Sequence, residues 1–521
     1  MNVKKTLKSL SLREKIYQTV VFRATPEFYN PQKAEEFFKR NPVGGVFVGP
    51  EVINDEKVTA KTIRESISAF KKASKIIPLF CADFERGCGF ITDDEKLTIY
   101  PDLMTLGATD SASLAYEYGK GTAIEAHTLG INWNFAPVSD INVNPLNPAT
   151  NTRSLGDKTD KVIPLLSSLV KGMNNHGLIA TAKHFPGDGT DYRDQHFVIS
   201  TNRFSTAKWW KTYGKIYKQL IKDGLLSVMA GHINFPAYQT ERIDGVAPPA
   251  TLSNELIGGL LKKKLGFKGV VVSDALIMSG FNKLHDCQTD AEIDCFKAGV
   301  DMMLWPSKEY VVRLEKEILS GNVSISRLDD AVRRILRVKK YVEEHIPNPT
   351  AQDFKDSKAV ATAVAENGVT LIKDRFGEIP KKIKEVSIIG LSDFESDNKR
   401  LVWLKESFEK RNIKASLYFG KCDEPSKTKT SDFIIYVTAC RMHNPAVHID
   451  IQYPDWQTAT FSRKKIIALA TGSPYLTNKY FETANIAFAT YSDTKECFES
   501  FVKVLVGELN AKGKLPVTLQ D

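Results

Sequence analysis

The 521-residue sequence predicts an α/β fold, a (β/α)8-type barrel followed by a second, smaller α/β domain. Three observations carry this expectation. Between about residues 40 and 310 short apolar runs alternate with longer segments of helical spacing, and polar residues recur at the C-terminal ends of those runs. A proline-marked break then precedes a further set of helix and strands.

In chain order the runs are "GGVFVG", "IPLFCADF", "INWNFAPVSD", "LIATAKH", "LLSVMAGH", "GVVVSD" and "GVDMMLW". Each is followed by a polar turn and a helix-length segment, the pattern of parallel strands joined by crossover helices. Seven such units with no second hydrophobic block among them suit a closed barrel better than an open doubly wound sheet. A Rossmann fold would also want GxGxxG after an early strand, and none is there. The segment "VSISRLDDAVRRILRVKKYVEEH" is expected to be a helix with Leu328, Val332, Ile335 and Leu336 on one face. The prolines of "IPNPTAQDF" read as a linker, so the expected boundaries are 1–345 for the barrel, 346–355 for the linker and 356–521 for the second domain. That domain draws on "AVATAVAENGVTLIKD", "VSIIGL", "DFIIYVTA", "IIALATG" and "IAFATYS", and ends near "GKLPVTL".

Composition narrows the function classes. With 42% hydrophobic and 26% charged residues the chain is globular rather than disordered. Its formal charge of +9 is spread as single lysines and pairs among acidic residues, a solvated surface and not a nucleic-acid face. Polar residues interrupt every apolar run of the lysine-bearing N-terminus, and no stretch approaches the roughly 18 apolar residues of a membrane span. The expected location is therefore cytoplasmic, with no membrane contact. Seven cysteines, Cys81, Cys88, Cys287, Cys295, Cys422, Cys440 and Cys497, are odd in number and lack CxxC pairing, which suits a reduced compartment with most of them as small core residues.

Chemistry concentrates where strands should end. Asp83, Asp140, Lys183 with His184, His232 and Asp274 each close a different apolar run, and the barrel brings those ends to one face. Singly, each reads as a helix cap or turn former; together they point to a pocket. Asp274, after the buried run Val270 to Val272, is either an N-cap or a carboxylate able to attack an anomeric carbon. The segment "KHFPGDGTDYRDQH" is kept from helix and strand by its glycines and proline. Within it Asp194 could hold the His196 imidazole and stabilise its protonated form, which would then donate a proton to a leaving oxygen. A metal reading of His184, Asp188, Asp191, Asp194 and His196 is disfavoured by their crowding on one loop beside the Lys183 cation. Neither metal nor cofactor is expected.

That segment resembles the KH(F/I)PGxGxxxxDxH signature of the β-N-acetylglucosaminidase branch of glycoside hydrolase family 3. "NFAPVSDINVNPLNPATNTRSLGD", "SVMAGHINFPA", "TLSNELIGGLLKKKLGFKGVVVSDALIM" and the terminal "GKLPVTL" extend the resemblance over nearly the whole chain. It implies a retaining, exo-acting, metal-free glycosidase on N-acetylglucosaminides, with an α/β sandwich behind the barrel. Carried over residue by residue, Asp274 matches the nucleophile, His196 the acid/base and Asp194 its partner. Asp83, Arg153, Lys183 and His184 match positions that hold the sugar hydroxyls. The chain departs from the pattern at "DFERGCGFI", where the expected arginine falls on Cys88 and Arg86 stands two places early, and at Asp188, which replaces a common histidine. Two alternatives remain open at this stage: a phosphorylase using phosphate in place of water, and a carbohydrate-binding protein without turnover.

Overall fold

The computed structural model describes residues 1–50, 52–53, 56–92, 94–282, 284–375, 382–391, 395–419, 431–438, 465–475 and 484–519. Eight parallel strands form the first domain: β1 (Val20–Arg23), β2 (Gly45–Phe47), β3 (Leu79–Ala82), β4 (Trp133–Asn134), β5 (Ile179–Phe185), β6 (Ser227–Ala230), β7 (Val270–Ser273) and β8 (Met303–Leu304). Neighbours in the sheet are neighbours in sequence, and β8 returns to pair with β1. A bridge between Val272 and Met302 joins β7 to the approach of β8, which brings the two ends of the sheet together as a barrel. The seven apolar runs read from the sequence are β2 to β8. The remaining strand, β1, lies in the N-terminal stretch that the sequence reading treated only as an interrupted leader. Val20 and Val21 are buried and Phe22 half-buried on joining the sheet, which overrides the polar flanks.

The alternation within each strand divides the core in two. Val21, Phe47, Cys81, Trp133, Phe135, Val270 and Val272 pack into the barrel interior, whereas Val46, Phe80, Ala82, Val228 and Val271 pack outward against the helices. The helix Ile325–Glu344, capped by Ser324, buries the expected Leu328, Val332, Ile335 and Leu336.

A second, mixed sheet follows: β9 (Thr370–Asp374), β10 (Glu385–Gly390), β11 (Lys414–Phe419), β12 (Phe433–Thr438), β13 (Lys465–Ala470) and β14 (Ile486–Ala489), in the order β9-β14-β13-β12-β10-β11. Among the described strands only β9 runs antiparallel, against β14. Helices Glu395–Glu409 and Lys495–Leu505 bury Leu401, Leu404, Phe408, Phe498 and Phe501 against one face.

Residues 351–355, read as linker, are the first turn of the helix Ala351–Gly368, which starts at a capping box of Thr350 and Asp353. The prolines stop at residue 349, so nothing opposes a helix beyond them. Ala361 and Val364 of this helix pack into the barrel's outer core. Cys81, Cys88, Cys295 and Cys497 are buried free thiols and Cys287 is exposed; Cys422 and Cys440 lie outside the described residues. Among the described residues no helix is long and apolar enough to cross a membrane.

Candidate active site

The C-terminal ends of the barrel strands surround a cavity of about 490 Å³. Asp83 and Glu85 follow β3, Lys183 and His184 lie on β5, and Asp274 follows β7; all line it. Arg153 enters from the short 3-10 helix Asn151–Arg153 and His196 from a loop, and Phe47, Phe135, Met229, Leu304 and Trp305 supply an apolar wall. Of the residues expected to act here, Asp83, Arg153, Lys183, His184, His196 and Asp274 line the cavity, and Asp194 stands behind His196.

The loop after β5 delivers His196. Gly187 and Gly189 have φ of +121° and +91°, and a Cβ on either would lie 2.4 Å from the Tyr213 ring or 2.1 Å from the Ile141 carbonyl oxygen. Only glycine fits both the backbone and the space. The Asp194 carboxylate receives the His196 backbone N–H at 2.9 Å and contacts Nδ1 at 2.6 Å. With the Nδ1 proton assigned to that bond, Nε2 is left for a ligand, and the imidazole is 53% exposed at the cavity mouth. The hydrogen bond to Asp194 is the main cause that raises the His196 pKa above its ordinary 6.5; burial opposes it, and the charges of Asp194 and Asp274 add to it. Asp274 is the counterpart. Burial would raise its pKa, but His184, His232 and His196 together with the Ala275 backbone N–H hold it below the ordinary 3.8. One oxygen, Oδ1, accepts that N–H at 2.8 Å, and the residue lines the cavity.

Glu85 is a residue the sequence reading missed. It takes a bidentate pair from Arg153, both contacts at 2.8 Å, and lies 2.7 Å from Lys183 Nζ. Burial opposes its charge, yet Arg153 and Lys183 keep it well below the usual carboxylate range. Lys183 also donates to Asp83 at 2.8 Å. The available signal was a second carboxylate two places beyond Asp83, in a segment read only for its displaced arginine. That arginine, Arg86, borders the cavity but spends its guanidinium on Asp102 at 3.5 Å and Asp493 at 3.2 Å, the latter in the second domain.

Two of the strand-end groups do not reach the cavity. Asp140 is buried and accepts the backbone N–H groups of His184 and Asp188 and contacts His184 Nδ1 at 2.8 Å, so it holds the histidine that does line the site. His232 is buried between Thr251 Oγ1 and the Ala275 carbonyl, each at 3.1 Å, and so fixes the backbone next to Asp274. Asp188 Oδ1 accepts from Asn147 and Gly189, and Asp191 pairs with Arg193 and Arg203. Among the described residues no three His, Cys, Asp or Glu side chains are arranged to hold a metal ion.

Residues 11–338 match the family model described as the glycosyl hydrolase family 3 N-terminal domain. The chain belongs to glycosyl hydrolase family 3. A family relative, the beta-N-acetylglucosaminidase/beta-glucosidase of Cellulomonas fimi, is 34% identical over 351 residues, which cover 65% of this chain and 60% of that protein. Beta-hexosaminidase A of Pseudoalteromonas piscicida is 24% identical over 565 residues, 94% of this chain and 91% of that protein. The solved structure of the beta-glucoside phosphorylase BglX bound to 2FGlc superposes with a TM-score of 0.86 at 26% identity, covering 99% of this chain and 96% of the other. A family 3 beta-N-acetylglucosaminidase from Paenibacillus sp. str. FPU-7 shares the fold at a TM-score of 0.83 and 24% identity, covering 98% and 99%. The barrel and the mixed-sheet domain together are therefore a family 3 architecture.

Proposed function

We propose that this family 3 chain is an exo-acting, retaining glycosidase that removes terminal β-N-acetylglucosamine, with Asp274 as nucleophile and His196, partnered by Asp194, as acid/base. The observation that carries the reading is one cavity holding an ionised carboxylate and an imidazole whose pKa is raised, the two protonation states that the first step needs. Asp274 Oδ2 attacks the anomeric carbon as the bond to the leaving oxygen breaks, and the His196 Nε2 proton goes to that oxygen. The neutral imidazole then takes a proton from water, which attacks the glycosyl ester and frees the Asp274 carboxylate. Asp83, Arg153, Lys183 and His184 offer hydrogen-bonding partners for sugar hydroxyls, and the apolar wall from Phe47 to Trp305 suits a ring face. The hexosaminidase relatives support the 2-acetamido sugar. Free thiols, four of them buried, support the cytoplasm.

A second reading, a phosphorylase, is favoured by the likeness to the BglX structure and by an acid/base that, unlike a carboxylate, carries no negative charge against phosphate. Product analysis on an aryl β-N-acetylglucosaminide, with and without phosphate, tests both. Free N-acetylglucosamine in either buffer is the expected result, sugar 1-phosphate would establish the phosphorylase, and no turnover of any aryl glycoside would sink the enzyme reading.

A further inference from the structure

The tip of the loop after β5, residues 194–198, carries His196, and its internal hydrogen bonds shape it without attaching it to the barrel. Asp194 accepts the His196 N–H on its carboxylate and the Phe197 and Val198 N–H groups on its backbone carbonyl. The returning end of the loop is fixed further on, where Ser200 and Thr201 pair in register with Ile233 and Asn234. We propose that Gln195, which stands between the two members of the dyad, is a positioning residue that registers His196 against Asp274, an inference that rests on the glycosidase reading above.

Burial and reach support this role. Gln195 is 1% exposed and is not part of the cavity wall, whereas the His196 side chain beside it is 53% exposed. Its Oε1 accepts the backbone N–H of His232 at 3.2 Å, a donor that settles which end of the amide points there. Its Nε2 is buried without a partner among the described residues, so that one bond orients the side chain. Among the described residues it is also the one side-chain hydrogen bond from the tip to the rest of the barrel. Backbone contacts complete the seat. The Ser279 N–H donates to the His196 carbonyl at 3.2 Å, and a Cβ on Gly280 would lie 2.5 Å from the Gln195 carbonyl oxygen and 2.9 Å from that of Val198. Glycine at 280 thus lets the tip approach closely.

The residue that receives Gln195 also reaches the nucleophile. His232 Nε2 meets the Ala275 carbonyl at 3.1 Å, and because that carbonyl can only accept, Nε2 carries the proton. The Ala275 N–H in turn donates to Asp274 Oδ1 at 2.8 Å. A continuous set of contacts from Gln195 through His232 and Ala275 therefore joins the loop of the proton donor to the carboxylate. Transfer needs His196 Nε2 within about 2.6–3.2 Å of the leaving oxygen while Asp274 meets the anomeric carbon. A displacement of about 1 Å is enough to cost roughly 10²-fold in rate. Asp194 orients the imidazole, and Gln195 sets where the oriented imidazole stands.

The test uses two variants of the full chain: Gln195→Met, which keeps the length and bulk of the side chain but deletes the acceptor, and Gln195→Glu, which restores an acceptor for the His232 N–H. The readout is kcat/KM, which reports the first step, in which the Nε2 proton leaves. In Gln195→Met it is expected to fall roughly 10²-fold on the β-1,4-linked N-acetylglucosamine disaccharide, whose leaving oxygen needs that proton, and less than about tenfold on the nitrophenyl glycoside. The inhibition constant of free N-acetylglucosamine and the alkaline limb of the pH profile should stay as in the wild type, because the sugar pocket and the contact of Asp194 with His196 are untouched. Gln195→Glu should recover most of the lost activity. Where Gln195→Met does not fold, Gln195→Asn, which keeps the amide and shortens its reach, is read in the same way. An equal loss on both substrates, an unaltered disaccharide rate, a moved alkaline limb in Gln195→Met or no recovery in Gln195→Glu overturns the positioning role. Wild-type turnover of the aryl glycoside reports on the glycosidase reading by itself, so the two failures are separable.

Discussion

At position 274 the carboxylate must be ionised and at position 196 the imidazole must be protonated, and the surrounding charges push each the required way. Because Asp274 lies below 3.8 and His196 above 6.5, kcat/KM is expected to have an acid limb below the first value and an alkaline limb above the second. Asp194→Ala removes the largest cause of the His196 shift, so the alkaline limb should move to lower pH, whereas the acid limb stays. An unmoved alkaline limb would assign it to another group. Asp274→Ala is expected to lower turnover by at least about 10³-fold while the protein stays folded by circular dichroism. Retention of near wild-type turnover would remove Asp274 from the chemistry. For His196→Ala the deficit should grow with the pKa of the leaving group, reaching roughly 10²–10⁴-fold on a natural disaccharide and less on a nitrophenyl glycoside. Azide should then rescue the activated substrate as the β-glycosyl azide; a uniform loss without that product would make His196 a binding residue.

The loop between β5 and β6 is the element that sets the geometry. Asp191 anchors it through Arg193 at 2.7 Å, Arg203 at 3.0 Å and the Thr201 N–H at 2.9 Å. Asp191→Ala should therefore raise amide hydrogen exchange across residues 186–203 and lower kcat by roughly 10²-fold through misplacement of His196, although the residue touches no substrate. Unchanged exchange would place the anchor elsewhere. Asp188 gives the same loop a pH dependence. Burial first, and the Asp140 charge second, raise its pKa from 3.8 to about 6. A carboxyl raised in the folded state contributes stability that is present below 3.8 and is lost as pH rises through about 6. Asp188→Asn should thus stabilise the fold against urea at pH 8, by an amount of the order of 1 kcal/mol, and leave its stability nearly unchanged at pH 4. Equal effects at both values would contradict this account.

At the scale of the molecule, the two domains share buried charge. Arg86 of the barrel lies between Asp102 and Asp493, and Ser492 donates to Asp102 at 2.6 Å. Asp493→Ala leaves Arg86 with less compensation for its burial, and a loss of about 3 kcal/mol in urea unfolding is expected. Thr105 donates to the Thr490 carbonyl and Tyr475 to that of Asn142, so the second domain bears on the segments that border the active site. Loss of stability without any change in kcat/KM for Asp493→Ala would show that this junction is structural alone.

Seven of eight barrel strands, the Ile325–Glu344 helix and the pairing of Asp194 with His196 were legible because each is a local pattern: a β-rich run, a 3.6-residue stripe, a two-residue spacing. β1 was not, because a four-residue strand between polar segments acquires its meaning only from neighbours some 25 and 280 residues away in the chain. Tertiary structure alone decided that Asp140 and His232 stand behind the site rather than in it, since burial and hydrogen-bond partners come from other strands. It also decided that Glu85 sits between Arg153 and Lys183, and that Arg86 turns from the sugar pocket to Asp493. Ion pairs spanning 68, 98 and 407 positions leave no periodicity in a sequence; they exist only where the closed barrel and its docked partner bring the charges within reach.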